Sequence, residues 1–254
     1  MPTTPPPSPR RPATVAATLS ALLTEPGRPR VTWYGPAGER IELSGAVLDN
    51  WVSKTTNLLV EELDAGPGTT VRVDLPPHWR SVVWTLAAWR VGATVLPPGA
   101  PDGDVVVTDR PDAATPRGAA VVAVALPALA RRFDGGLPPG ALDAAASVMT
   151  YGDVVGWAPE VEPQREALAG VPGGGVRHVD LLEQAAGAAA RDGAAGARVL
   201  LEVGDDRAAT PSAALAVLGV LAGGGSVVLL RPEAGDDAAR ADRVAATERV
   251  TARL

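Results

Sequence analysis

Two histidines, His78 and His178, a single lysine, Lys54, and no cysteine leave this 254-residue sequence few groups that can move a proton, hold a metal or attack a carbon. A thiolate nucleophile, a Cys metal site and a disulfide are excluded, and two histidines far apart in sequence offer little to a His-based metal site. His78 follows Pro76-Pro77, between an apolar run and a helical pattern. In open α/β sheets ligands bind at that edge, so His78 and Trp79 are candidates for ligand contact, with a helix-capping histidine as the alternative. The run Gly173-Gly174-Gly175 offers backbone amides that can form an anion-binding nest, or it is a plain loop. Lys54 falls inside a helical pattern and is expected to snorkel at its surface. Asp205-Asp206 and Asp236-Asp237 read as solvated caps at turns rather than as a metal site. Trp79, Trp84 and Trp89 recur every five residues, a spacing that spreads them around a helix instead of along one stripe. At least one is therefore expected to be partly exposed, and with Trp51 and Trp33 to mark either a surface for a partner or apolar ligand, or core packing.

Composition bounds the rest. A net charge of −6, 46% hydrophobic and 20% charged residues describe a globular chain despite 28 Gly and 25 Pro, and argue against a nucleic-acid binder. No apolar stretch is long enough for a membrane span. The Pro-rich segment 1–12 reads as a disordered tail rather than a secretory leader, and a cytoplasmic location is expected.

The elements that must position these residues alternate. A helix is expected over 13–23, a hairpin over 31–34 and 40–43, and a helix from Ser44 to Leu63. Then follow strand 71–75, helix 79–91, strand 94–96 and buried-type strands at 104–108 and 120–126. A strand over 145–151 and an irregular stretch over 158–175 come next. The second half reads as helix 181–191, strand 198–203, helix 211–221 and strand 226–230. Setting Val71 against Val199, and Gly92 against Gly224, aligns two strand–helix–strand blocks with a short slip, which indicates an internal repeat. The expected fold is therefore two similar, stacked α/β subdomains, 13–134 and 141–254, with mostly parallel sheets related by a pseudo-twofold.

The order Leu43-Ser44, Asn57-Leu58-Leu59, Gly66-Pro67-Gly68, Val71 through Pro76 and Gly92 through Pro97 resembles the opening of the adenylate-forming (AMP-binding) superfamily of acyl-CoA synthetases and ligases. Gly175-Val176-Arg177-His178 is similar to the segment after that family's phosphate loop, and Ala222-Gly223-Gly224-Gly225 to its later turn and strand. The resemblance implies a mainly structural role for His178, beside its candidacy as a ligand residue. It also implies a phosphate loop rich in Ser, Thr and Gly with a following Lys, yet 159–174 has no Ser, Thr or Lys. The family's adenine, ribose, Mg and catalytic-Lys motifs have no counterpart in these residues. What is implied is a shortened, degenerate relative without a cofactor: a non-catalytic module that binds a protein partner or a small acyl or nucleotide ligand. The alternative is an acyl-activating ligase completed by residual or partner-supplied sites.

Overall fold

The structure, a computed structural model, describes residues 12–112, 115–190, 196–233 and 238–254. The expected tail, apart from Pro12, and the pair Asp236-Asp237 lie outside the described residues.

Helix α1 (Val15–Leu22) starts at Thr14, whose side chain accepts the Ala17 N–H. Strands β1 (Pro29–Tyr34) and β2 (Arg40–Ser44) form the expected antiparallel hairpin. Ser44 then caps α2 (Gly45–Glu61) by accepting from the Val47 N–H. Next come β3 (Thr70–Asp74), α3 (Trp79–Arg90), β4 (Thr94–Leu96), β5 (Val105–Thr108), β6 (Ala120–Ala123) and β7 (Leu142–Asp143).

The strand expected over 145–151 is instead helix α4 (Ala144–Ser147) followed by a 3-10 turn. Asp143 accepts from the Ala145 and Ala146 N–H groups, and an N-capped run of Ala favours helix over strand. The stretch read as irregular hides two short strands, β8 (Glu166–Leu168) and β9 (Val176–Arg177). Helix α5 (Leu181–Ala188), β10 (Arg198–Glu202), α6 (Thr210–Ala222) and β11 (Ser226–Leu230) follow the expected order, and α7 (Ala238–Thr247) and β12 (Ala252–Arg253) extend it.

Two sheets result. One has the order β12-β10-β11-β1-β2 and the other β7-β6-β5-β3-β4-β8-β9. Each is parallel except for its last strand, β2 or β9.

The internal repeat is visible in the pairing. Val71 lies opposite Val95 and Val199 opposite Val227, so β3-α3-β4 and β10-α6-β11 are equivalent units. Their helices end alike. Gly92 and Gly224 both adopt positive φ, at 79° and 76°, and the next residue's N–H reaches back into the last turn, Ala93 to Ala88 and Gly225 to Val220. The 3-10 turn Arg207–Ala209 ahead of α6 and the extra residue in α6 take up the slip between the blocks.

Each unit is preceded by a two-strand, helix segment, β1-β2-α2 or β8-β9-α5, and donates those two strands to the other unit's sheet. The division expected at 134–141 therefore falls between repeats but not between sheets, because β1 pairs with β11 and carries β2 at its other edge, while β8 pairs with β4 and carries β9.

Inward residues of both sheets share one core with α1, α2, α3, α5 and α6. A smaller cluster of Leu200, Val228 and Leu230 lies beneath Ala241 and Val244 of α7. Because α3 is covered on every side, Trp79, Trp84 and Trp89 are all buried, against the expectation that one would be exposed. Helical spread implies exposure only for a helix with a solvent face. The exposed tryptophan is Trp157.

Candidate functional site

Helix α3 begins at the carboxyl end of the central strand β3. His78 has extended backbone, φ −162° and ψ 157°, and its Nδ1 accepts the Arg80 N–H at 3.1 Å. Its own N–H donates to Ser81 Oγ at 3.0 Å, and Ser81 Oγ–H donates to the His78 carbonyl at 2.8 Å. The ring is 3% exposed and meets Trp33 edge-on with centroids 4.5 Å apart. Burial, then the charges of Arg80 and Arg231, lower its pKa to about 3, so the imidazole is neutral at pH 7. His78 is thus a buried helix cap, and its acceptor nitrogen is used by the backbone.

Trp79 packs between His78 and Trp51, its ring centroid 5.7 Å from that of His78 and 5.4 Å from that of Trp51, the two tryptophan planes at 71°. The Arg80 guanidinium carbon lies 4.3 Å from the Trp79 ring centroid and 5.5 Å from that of Trp51. Arg80 is 7% exposed and donates to the Pro127 and Ala128 carbonyls at 3.4 and 3.3 Å. Burial lowers its pKa to about 10, while the charge of Glu39 opposes the shift. Glu39 is otherwise engaged, since its two carboxylate oxygens accept from Trp33 Nε1 and the Ala128 N–H, each at 2.8 Å.

The glycines lie elsewhere. Gly173, Gly174 and Gly175 border a cavity of about 500 Å³ between the β8–β9 connection and the start of α6, which contains neither His78 nor Trp79. Its described lining is apolar or neutral, Gln184 and Ser212 being its polar side chains. Gly174 spends its N–H on the Val171 carbonyl, and the Glu166 carboxylate sits where a Cβ on Gly175 would go. An anion would therefore meet a negative group and a reduced set of free amides.

His178 is at the opposite edge of the sheet, by Gly92 and Ala93 at the entry to β4. Burial lowers its pKa against the pull of those two carbonyls, and its Nε2 is buried without a partner. The structure does not bring the expected site residues together: His78 with Trp79, Gly173 to Gly175, and His178 occupy three places.

Sequence reasoning missed what closes the carboxyl edge of β3 and β5. Arg207 binds the Asp109 carboxylate and the Asp74 carbonyl, Arg110 lies 3.3 Å from Asp74, and Thr210 Oγ1–H donates to the Leu75 carbonyl at 2.7 Å. No local pattern announces these pairs. Arg80 did leave a signal, as a cation in the first turn of a helix whose positions 82–89 are apolar but for Thr85. Lys54 is held, not snorkelling: its Nζ lies 2.7 Å from Asp153 and donates to the Tyr151 carbonyl. Asp206 is the expected cap, on the Ala208 N–H, and Asp205 pairs with Arg231. Among the described residues no cluster of acids and histidines could hold a metal, and no helix is long and apolar enough to cross a membrane.

No protein-family model matches the chain. A TIGR03089 family protein of Mycobacterium tuberculosis (strain ATCC 25618 / H37Rv) is 36% identical to it over 237 residues, 91% of this chain and 93% of the relative. The chain belongs to the TIGR03089 family.

Solved structures place the fold of this TIGR03089 member. An acyl-CoA synthetase of Brucella canis superposes with a TM-score of 0.70 at 20% identity, covering 94% of this chain and 46% of that one. The amide bond synthetase McbA of Marinactinospora thermotolerans gives 0.65 at 18%, covering 94% and 48%. An artificially fused adenylation–PCP di-domain of Klebsiella oxytoca gives 0.67 at 12%, covering 96% and 43%. The fold is that of acyl-CoA synthetases and adenylation domains, and the chain spans under half the length of each of these structures.

Proposed function

We propose that this chain is a binding module on the acyl-CoA synthetase fold that does not adenylate, and that it holds a small acyl or nucleotide ligand or a protein partner. The observation that carries the reading is the cavity at Gly173 to Gly175. Its described lining has no Lys or Arg, the Gly174 amide is taken by the Val171 carbonyl, and Glu166 stands beside Gly175. Transfer to or from a triphosphate needs positioned positive charge on the phosphates, and here the nearby charge has the wrong sign. The carboxyl edge of β3, the usual ligand crevice of an open α/β sheet, is filled by Asp74, Asp109, Arg110 and Arg207 bonded to one another. A cytoplasmic location goes with this reading.

The test is ATP–pyrophosphate exchange with a panel of carboxylic acids, together with melting in millimolar ATP and Mg²⁺. The reading expects background exchange and no shift, whereas a ligand at one hundred times its Kd would add about 2.7 kcal/mol. Exchange above background with any acid favours the ligase reading instead.

A further inference from the structure

We propose that the cleft between α2, the first turn of α3 and the 127–131 segment binds a small organic acid, with its carboxylate on Arg80 and Trp79 and its apolar body against Trp51 and Met149. The inference deepens the binding-module reading and rests on it.

Two unmet donors carry it. Trp79 Nε1 and Arg80 Nε are both buried and have no hydrogen-bond partner among the described residues. Both residues line a recess of about 10 Å³, enough for one water-sized atom. Two donors with no acceptor call for an acceptor between them, and a buried donor left unmade is costly. Arg80 adds charge: it is buried, has no ion pair among the described residues, and keeps only two long bonds to carbonyls. An unpaired buried cation is unfavourable until an anion joins it. The first turn of α3 adds its positive dipole end on the same side.

The recess shares Trp51, Arg80 and Ala145 with an open groove of about 520 Å³. Apart from Arg80 and Arg131 the groove is apolar, and Leu129 and Met149 are exposed along it. A carboxylate oxygen fits the recess and an aryl or short alkyl body fits the groove. Neutral ligands add no charge to that of Glu39, which acts on Arg80 from beyond ion-pair distance, and a polyphosphate would lay its further charges along a groove that is apolar apart from Arg80 and Arg131.

Benzoate, phenylacetate and hexanoate, each against its neutral amide, test the proposal by melting temperature and tryptophan fluorescence at millimolar concentration. At least one acid should bind, its amide about tenfold or more weaker, and the Trp79 indole N–H resonance, assigned by its loss in Trp79→Phe, should move with the acid alone. Arg80→Gln should erase the preference for acid over amide. Should that variant not fold, Met149→Glu at the exposed rim should weaken the acid and spare the amide. Binding of none of the three acids, equal binding of acid and amide, or acid binding undiminished in both variants would overturn the proposal. Exchange measured on the same preparation separates the two readings: background exchange without acid binding sinks this inference alone, while exchange above background sinks the reading beneath it.

Discussion

Arg207 grips the Asp109 carboxylate with both terminal nitrogens, at 2.8 and 3.0 Å, and turns the same Nη1 to the Asp74 carbonyl at 2.8 Å. One arginine of the second repeat thereby ties the carboxyl ends of β3 and β5, which belong to the first. Both side chains are largely shielded, at 21% and 16% exposure, so the pair is more than a surface ion pair.

Replacing Arg207 by Gln should lower stability by about 1.5–3 kcal/mol, the usual worth of hydrogen bonds to charged groups. Asp109→Asn should lower it too, and the double variant should lose less than the two single losses added together, because each single change leaves a shielded partner unpaired. Urea unfolding of the four proteins measures this. Strictly additive losses would mean the two residues act independently.

Much of this architecture was legible in the sequence because it is local. Ser44 ahead of α2, the Gly that ends α3 and α6, and the runs of Val in β3 and β5 each signal their element within a few residues. The matching Gly92 and Gly224 revealed the repeat. The exchange of β1-β2 and β8-β9 between sheets was not legible, since pairing partners lie far apart in the chain and the hydrophobic pattern of a strand is the same whichever sheet takes it. Strands β8 and β9 are too short for a periodicity to register. His78 after Pro76-Pro77 marks the start of a helix, and the capping alternative is the one α3 shows, but the gathering of Trp51, Trp79 and Arg80 beside it depends on packing across α2 and α3.

Helices α5 and α6 touch through Gly219. A Cβ there would stand 2.6 Å from the Ala185 carbonyl carbon and 2.8 Å from Ala189 Cβ, inside any real contact. Alanine is the better helix former by about 1 kcal/mol, yet Gly219→Ala should destabilise by about 1–3 kcal/mol because the crowding is largely against backbone. A melting temperature equal to or above the parent's would show that α5 can move aside.

Glu248 accepts from Tyr34 Oη at 2.6 Å, from Arg40 Nε at 3.0 Å and from Arg198. Burial pushes its pKa up, but the bonds from Tyr34, Arg198 and Arg40 outweigh it and hold the carboxylate below its ordinary 4.5. A depressed acid stabilises the fold above the unfolded pKa and loses that contribution as pH falls through the folded one. The stability gap between the parent and Glu248→Gln should therefore be constant from neutral pH down to about 5, then narrow below it. A gap independent of pH would mean that the charge contributes nothing.

His78 gives the opposite end of the acid limb its slope. Its folded pKa of about 3 lies below the ordinary 6.5, so the unfolded chain takes up a proton that the folded chain refuses. The neutral ring's contribution is complete above pH 6.5 and drains as pH falls toward 3. The loss runs at about 1.4 kcal/mol per pH unit once the unfolded histidine is charged. Between about pH 6.5 and 5 ordinary carboxylates hardly titrate, and the buried Asp49, whose pKa is raised, is the same in parent and variant, so the difference in slope there belongs to the histidine replaced. Asn also caps helices well, so His78→Asn should keep the first turn of α3 while removing the His78 part of that slope, leaving what His178 contributes. Denaturant unfolding of both proteins at closely spaced pH values reads the difference. An unchanged slope would mean that His78 becomes protonated within the fold, with its ring turned away from the Arg80 N–H.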